Sequence, residues 1–371
     1  MQMAVTAVAV AGLLAVVFPG SVLRGQEAPI AGTTYIGTEL GAPEYEFGYI
    51  TTIAFVGLEA IAVADGISKN VRLFSLAGRH LHTLGRSGHG PGEFVHPGTI
   101  LTDSLIRVFD PMQHRIVVFD PASGGHVTTT ALRVAPGANV TTMLPLRAGQ
   151  FIAETTPAWS WGQPGHQTDV AVLHLVGDRV DTIAQFHQGL TVWYTPDAHA
   201  PWGIVPSRFG SGGAWAMHDT TVALVDGYAG LVRFMAARAD GSLLPVSEIR
   251  LPGESRPVTA QDTQREVEDS AQADARRARG GRSGRIGLEP PARWSIGHAA
   301  IFAERDRLWV LQEITRDSRE RWTVLNQNGV VDSWAFPRGV RIKAVAPPHV
   351  AGVEFMDSGV QRVVVYRLES Q

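Results

Sequence analysis

Short apolar runs that end in an aspartate, followed by a polar or Gly-rich turn and a β-branched run, set the rhythm of this chain. Asp110–Phe119 reads DPMQHRIVVF and follows IRVF. Asp357–Tyr366 reads DSGVQRVVVY and follows VEFM; it repeats the Asp, the Arg five residues on, the β-branched residue six on and the aromatic nine on. Asp65–Phe74 (DGISKNVRLF, after IAVA) and Asp226–Met235 (DGYAGLVRFM, after VALV) keep the Asp, the Val at plus six and a large apolar residue at plus nine. Each copy reads as a hairpin: an Asp side chain bonds its own backbone in a turn, Gly tolerates positive φ, and a β-branched strand leads out. Asp65, Asp110, Asp226 and Asp357 are therefore assigned to turns, since residues repeated from unit to unit more often build structure than chemistry.

The intervals between the four aspartates are 45, 116 and 131 residues. A repeat of roughly 40 to 50 residues with several strands has the size of a propeller blade, so each longer interval holds one degenerate blade and the total is six. Gly turns at Gly78, Gly124, Gly177, Gly241 and Gly329 lead into an outer strand in five blades, whereas the last copy stops at Tyr366 with only RLESQ after it. Thr33–Leu40, a strand candidate with no hairpin partner, is free to supply the missing strand, which ties the ring together and removes exposed edges. The expected fold is all-β: a six-bladed β-propeller of four-stranded blades with an N-terminal strand closing the last blade. Its expected inner strands are 50–55, 98–102, 140–145, 214–217, 298–302 and 342–346. One segment breaks the β pattern. Residues 257–280 are rich in helix formers, with Thr259 and Asp262 spaced as a helix cap, acids early and arginines late. This predicts a short helical insertion between blades four and five, exposed over 257–290, with a mobile Gly and Arg-rich tail; it reads as a solvated linker, with a lid or a partner-docking arm as the alternatives.

Gly88–Pro97 reads GHGPGEFVHP and precedes an apolar strand and then Asp110–Phe119. The pattern GxGPGEFxxP, then D-x(4)-R-[IV]-x-[VI]-F, resembles NHL-repeat propellers and their six-bladed bacterial relatives. The match is specific at these two stretches and weak elsewhere; Gly41–Phe47 is a rough echo, and blades three and five lack the turn Asp. The resemblance implies a six-bladed ring. It implies no single activity, because such folds host binding modules as well as metal-dependent lactonases and lyases.

Composition narrows the field further. A chain of 371 residues with 44% apolar content suits one large domain over 26–371. A net charge of -3 and a pI near 6.5 give no basic face for nucleic acid. The absence of cysteine excludes disulfides, thiolate metal sites and a cysteine nucleophile. Lys69 and Lys343 are the only lysines. Ala4–Phe18 is an uncharged apolar run of signal-peptide length, too short for a transmembrane span and followed by Pro19, Gly20 and Ser21. Residues 1–25 are read as a signal peptide cleaved after Gly25. This predicts an exported protein, periplasmic or extracellular, with no transmembrane segment in the mature chain.

Candidate chemistry is sparse. Trp159 and Trp161 lie in a Pro- and Gly-rich insertion of blade three, and Trp193, Tyr194 and Trp202 lie in the connection from 186 to 209. Tryptophans in such segments are less easily explained as core, so they are read as loop residues offering an aromatic binding surface. The expected inner strands contain no Asp or Glu, and only His298 and Lys343 are ionisable. Arg208, Arg293 and Arg341 flank them, and with Lys343 they suggest a cationic mouth for an acidic ligand. His89, Glu93 and His96 flank the GPGEF turn. A metal centre wants three or more His or carboxylate ligands. The sequence therefore favours a binding module for a protein, peptide or glycan on one face of the ring over an enzyme, with no cofactor expected. The alternative is a metal-dependent lactonase or lyase, which would place a divalent metal at the central channel.

Overall fold

A computed structural model describes residues 26–132, 139–147, 149–156, 168–177, 179–194, 201–277, 285–289, 294–304, 307–314, 319–356 and 358–369. It forms a six-bladed propeller. Blade one pairs Ile50–Val56, Ala60–Asp65, Asn70–Ser75 and His80–Leu84 in that order, and blade two pairs Ile100–Thr102, Ile106–Asp110, Arg115–Phe119 and His126–Ala131. Blade three pairs Asn139–Arg147, Gln150–Thr156, Thr168–Val176 and the first part of Arg179–Tyr194; blade four pairs Gly213–His218, Thr221–Asp226, Leu231–Ala237 and Leu243–Arg250. Blade five runs Ala299–Glu304, Arg307–Ile314, Glu320–Asn326 and Gly329–Ala335, with Gln26–Glu27 added in parallel to its outer strand. Blade six has Val340–Ala346, His349–Phe355 and Gln361–Leu368, and its outer strand is the N-terminal Ile30–Ile36.

The burial explains why the sequence reads as apolar runs. Middle strands such as Ala60–Asp65 and Arg115–Phe119 are buried at every position, because a neighbouring blade covers each face. Outer strands alternate or lie open, as in Leu243–Arg250. Each junction between neighbouring blades has its own apolar cluster. Leu73, Leu84, Phe94, Ile106 and Phe119 pack blade one on two, and Trp309, Trp322, Phe336 and Tyr366 pack blade five on six.

The repeated aspartates act as clamps. Asp65, fully buried, accepts the backbone N–H groups of Gly48 and Tyr49 from the chain entering its blade, and those of Ile67 and Ser68 in its own turn. Arg72 completes the grip by donating to Glu46 O at 2.6 Å. Blade two repeats the device: Asp110 accepts from Val95 and His96, while Arg115 donates to the carbonyls of His89 and Glu93. Asp226 accepts from Tyr228 and Ala229 within its turn. Asp357 lies outside the described residues.

Two expectations change and one holds. The connection from 186 to 209 is not a loop: Arg179–Tyr194 continues past blade three and pairs with Pro201–Ser211, Trp193 opposite Gly203 and Tyr194 opposite Pro201. The tail of the insertion is structured in part, since Arg285–Glu289 pairs with Leu190–Tyr194 on the other side and makes a three-stranded arm. Backbone pairing joins these Gly- and Pro-rich segments as strands. The helix occupies Ala260–Arg277, and Thr259 and Asp262 cap it reciprocally, with Thr259 N–H on the Asp262 carboxylate at 2.9 Å and Asp262 N–H on the Thr259 hydroxyl at 3.2 Å.

Candidate functional site

Strand direction decides which end of the channel is elaborated. Each inner strand begins beside the end of its blade's second strand, where the turn aspartates lie: Ile50 sits opposite Asp65, Gly213 opposite Asp226 and Val340 opposite Glu354. All six inner strands therefore start on one face. The arm beyond blade three and the helical insertion after blade four also leave the ring on this face, because an outer strand ends there. The insertion closes on itself at its base. Ser255 hydroxyl donates to Trp294 O, Trp294 N–H to Arg256 O, and the Arg256 guanidinium pairs with Asp262 and lies over the Trp294 ring, 4.6 Å from its centre.

The starts of the inner strands form the mouth of the channel on that face. Thr99 and Thr142 share a hydroxyl contact of 3.2 Å between blades two and three. Glu154 joins blades three and four, accepting the Thr141 hydroxyl at 2.7 Å and the Trp215 indole N–H at 2.8 Å. His298 opens the inner strand of blade five, where burial pushes its imidazole down to about 4, so it is neutral at neutral pH. Next to it, at the junction with blade six, lie Glu320, Arg341 and Lys343. Burial pushes the Glu320 carboxyl above its ordinary range, and the N–H groups of Ile342 and Trp322 with the charges of Arg341 and Lys343 oppose that only in part. Lys343 is exposed.

The residues around the GPGEF turn belong to the scaffold. The Glu93 carboxylate accepts Gly90 N–H at 2.8 Å and pairs with Arg86; any side chain at Gly88 would meet it at 2.1 Å. His96 donates its backbone N–H to Asp110, and His89 offers its carbonyl to Arg115. Trp159, Trp161 and Arg293 lie outside the described residues. Trp193, Tyr194, Trp202 and Arg208 are on the arm, and His298, Arg341 and Lys343 are at the mouth, so the described candidates share one face. Among the described residues no three His, Asp or Glu side chains gather where they could hold a metal ion.

Sequence reading missed a second feature of this face. Leu40, Tyr49, Ile67, Met112 and Phe355 are exposed around blades six, one and two. The signal was present: Ile67 and Met112 each follow a turn aspartate by two residues, where the chain has no interior to enter.

Residues 40–152 match the model of a family, DUF5128, described as a 6-bladed beta-propeller. No curated protein matches the sequence. Among solved structures the chain is similar to a member of the DUF4221 family from Bacteroides vulgatus, at 9% identity and TM-score 0.50, covering 92% of this chain and 98% of that one. It is also similar to a Bacteroides fragilis protein described as exported (10% identity, TM-score 0.46, covering 91% and 95%) and to a streptogramin B lyase (8%, 0.41, covering 91% and 98%). At these identities the likeness speaks to fold. No described helix is long and apolar enough to cross a membrane.

Proposed function

We propose that the protein is an exported binding module, periplasmic or extracellular, that recognises a protein, peptide or glycan on the face carrying the turn aspartates. The observation that supports this reading most is one-sidedness. The arm with Trp193, Tyr194 and Trp202, the helical insertion, the exposed Leu40, Tyr49, Ile67, Met112 and Phe355, and the polar mouth are read as standing on that face. A ring whose additions converge on one side has a working surface there, because loops on a rigid scaffold carry function. The alternative, a metal-dependent lactonase or lyase at the channel, is read by the same experiment.

The mature chain, purified without chelator, is applied to glycan and peptide arrays, with its metal content and its thermal melt with and without EDTA measured alongside. Binding that is lost in a Trp193→Ala, Trp202→Ala variant and kept in Leu58→Ala, on the opposite face, supports the module. Blank arrays, binding indifferent to the arm, or stoichiometric metal whose removal lowers the melting temperature overturn it. Mass spectrometry of protein from an exporting bacterial host tests export: an N-terminus at Gln26 is expected, and full-length cytoplasmic protein would refute it.

A further inference from the structure

Blades five and six meet at the mouth through charges that the fold does not use up. Glu320 begins the third strand of blade five and is 3% exposed; its Oε2 accepts Ile342 N–H at 2.9 Å and the Trp322 indole N–H at 3.0 Å. Gln361 begins the third strand of blade six, is 5% exposed, and accepts Ile50 N–H at 2.5 Å. The two residues do the same work one blade apart, since each pins the inner strand of the next blade. At 361 a neutral amide suffices. The charge at 320 is therefore not needed for pinning, and burying it is costly.

What the charge faces is Arg341, whose Nη1 lies 3.5 Å from Glu320 Oε1, an ion pair without a hydrogen bond. That Nη1 is itself buried and has no hydrogen-bond partner. Lys343, two residues on, is exposed, and its charge bears on the same Glu320 carboxyl as that of Arg341. It is the extra residue of a bulge between Ile342 and Ala344, a device that re-aims a side chain. The inner strands of blades one and three carry bulges too, at Thr51 and Thr141. There the hydroxyls are satisfied within the ring, on Pro97 O and on Glu154. Lys343 has no hydrogen bond or ion pair among the described residues. The buried Nη1 faces Glu320, while the rest of the guanidinium, on a side chain 38% exposed, and the exposed Lys343 ammonium stand open to an oxygen anion from outside.

We propose that Arg341 and Lys343 form a carboxylate-binding subsite at the channel mouth, with Glu320 as the positioning residue behind Arg341. The subsite rests on the reading of this face as the ligand face, and adds that the ligand bears a carboxylate. A planar carboxylate suits the guanidinium fork, and the ammonium takes the remaining lone pairs.

The two-lysine composition supplies the test. Protein labelled with 13C at lysine Cε gives two signals, Lys343 as reporter and Lys69 as internal control. Titration with sodium acetate and with sodium D-glucuronate, against sodium chloride at matched ionic strength, should move Lys343 saturably and leave Lys69 still. A lower midpoint for glucuronate indicates a sugar acid, and equal midpoints indicate the carboxylate alone. Arg341→Ala, shown by its melting curve to be folded at the titration temperature, should weaken the response about tenfold, and Arg341→Lys should restore part of it. Two lysine signals that move together, a chloride titration that reproduces the shift, or an undiminished response in Arg341→Ala would overturn the subsite. Array binding with a silent Lys343 would sink the subsite alone. A responsive Lys343 with blank arrays would keep the subsite and sink the broader recognition reading.

Discussion

The entries into blades one and two and the junction of blades five and six solve the same problem with opposite handling of charge. In the first, the charges close largely on their own surroundings: Asp65 and Asp110 accept N–H groups, Arg72 pairs with Asp65 and donates to Glu46 O, and Arg115 donates to the carbonyls of His89 and Glu93, leaving only its buried Nε without a partner. In the second, Glu320 takes two N–H groups, while Arg341 and Lys343 remain without hydrogen bonds inside the ring. A buried carboxylate that is fully bonded behaves as a structural staple. One whose neighbouring cations are unfilled behaves as part of a surface.

The largest effect that separates the two junctions is expected at the clamp. Asp110→Ala leaves the N–H groups of Val95, His96 and Met112 without their acceptor in a fully buried site, which should cost about 3 kcal/mol in urea unfolding. A loss below about 1 kcal/mol would show that the entering loop needs no clamp.

Next comes the pH dependence, where the two carboxylates should differ in sign. For Asp65, burial works to raise the pKa, but the N–H groups of Gly48, Ser68, Tyr49 and Ile67 together outweigh it and hold the carboxyl below 3.8. Its stabilisation is present above 3.8 and lost as pH falls through the lower folded value. Glu320 is held above 4.5, so its ionisation weakens the fold as pH rises from 4.5 through the folded value. Glu320→Gln should melt at the same temperature as the parent protein or higher at pH 7, and lose that advantage below pH 4.5. Asp65→Asn should be less stable at pH 7 and converge on the parent in acid. Parallel melting curves from pH 3 to 8 check both, and the same sign for the two variants would dissolve the contrast.

The smallest effect belongs to the insertion. The Arg256 guanidinium and the Thr259 N–H and hydroxyl hold the Asp262 carboxyl well below its usual range. Asp262→Ala should cost about 1 kcal/mol and show as faster hydrogen exchange over residues 260–268, with the ring unaffected. Exchange that quickens in the blades as well would mean that the insertion braces the ring.

What was legible follows from repetition. The turn aspartates declared themselves because the same bond is made again and again, and with them came the blade count, the inner strands and the closing strand. Glu320 and Gln361 share a task under different letters, so no repeat exposes them; only the pairing of Ile342 and Ile50 with those side chains does. The arm was illegible for another reason. Pairing of Leu190–Tyr194 with Arg285–Glu289 joins segments most of a hundred residues apart, and the five alternating residues RIGLE, set in a Gly- and Arg-rich stretch, are too few to announce a strand. His298 and Lys343 were visible as ionisable letters in inner strands, but their difference in state, one neutral through burial and one exposed, required the packing.

The strand Ile30–Ile36 pairs with Gln361–Leu368, so a strand from the start of the ring waits for one about 330 residues later. Until then the molecule is an open arc whose terminal blades expose raw edges. A chain that has not yet delivered Gln361–Leu368 cannot complete the circle. The same seam brings the two ends of the ring together, so a circular permutant joined there and opened at Gly57, where a turn leaves open space around the backbone, would turn the last pairing event into a local one.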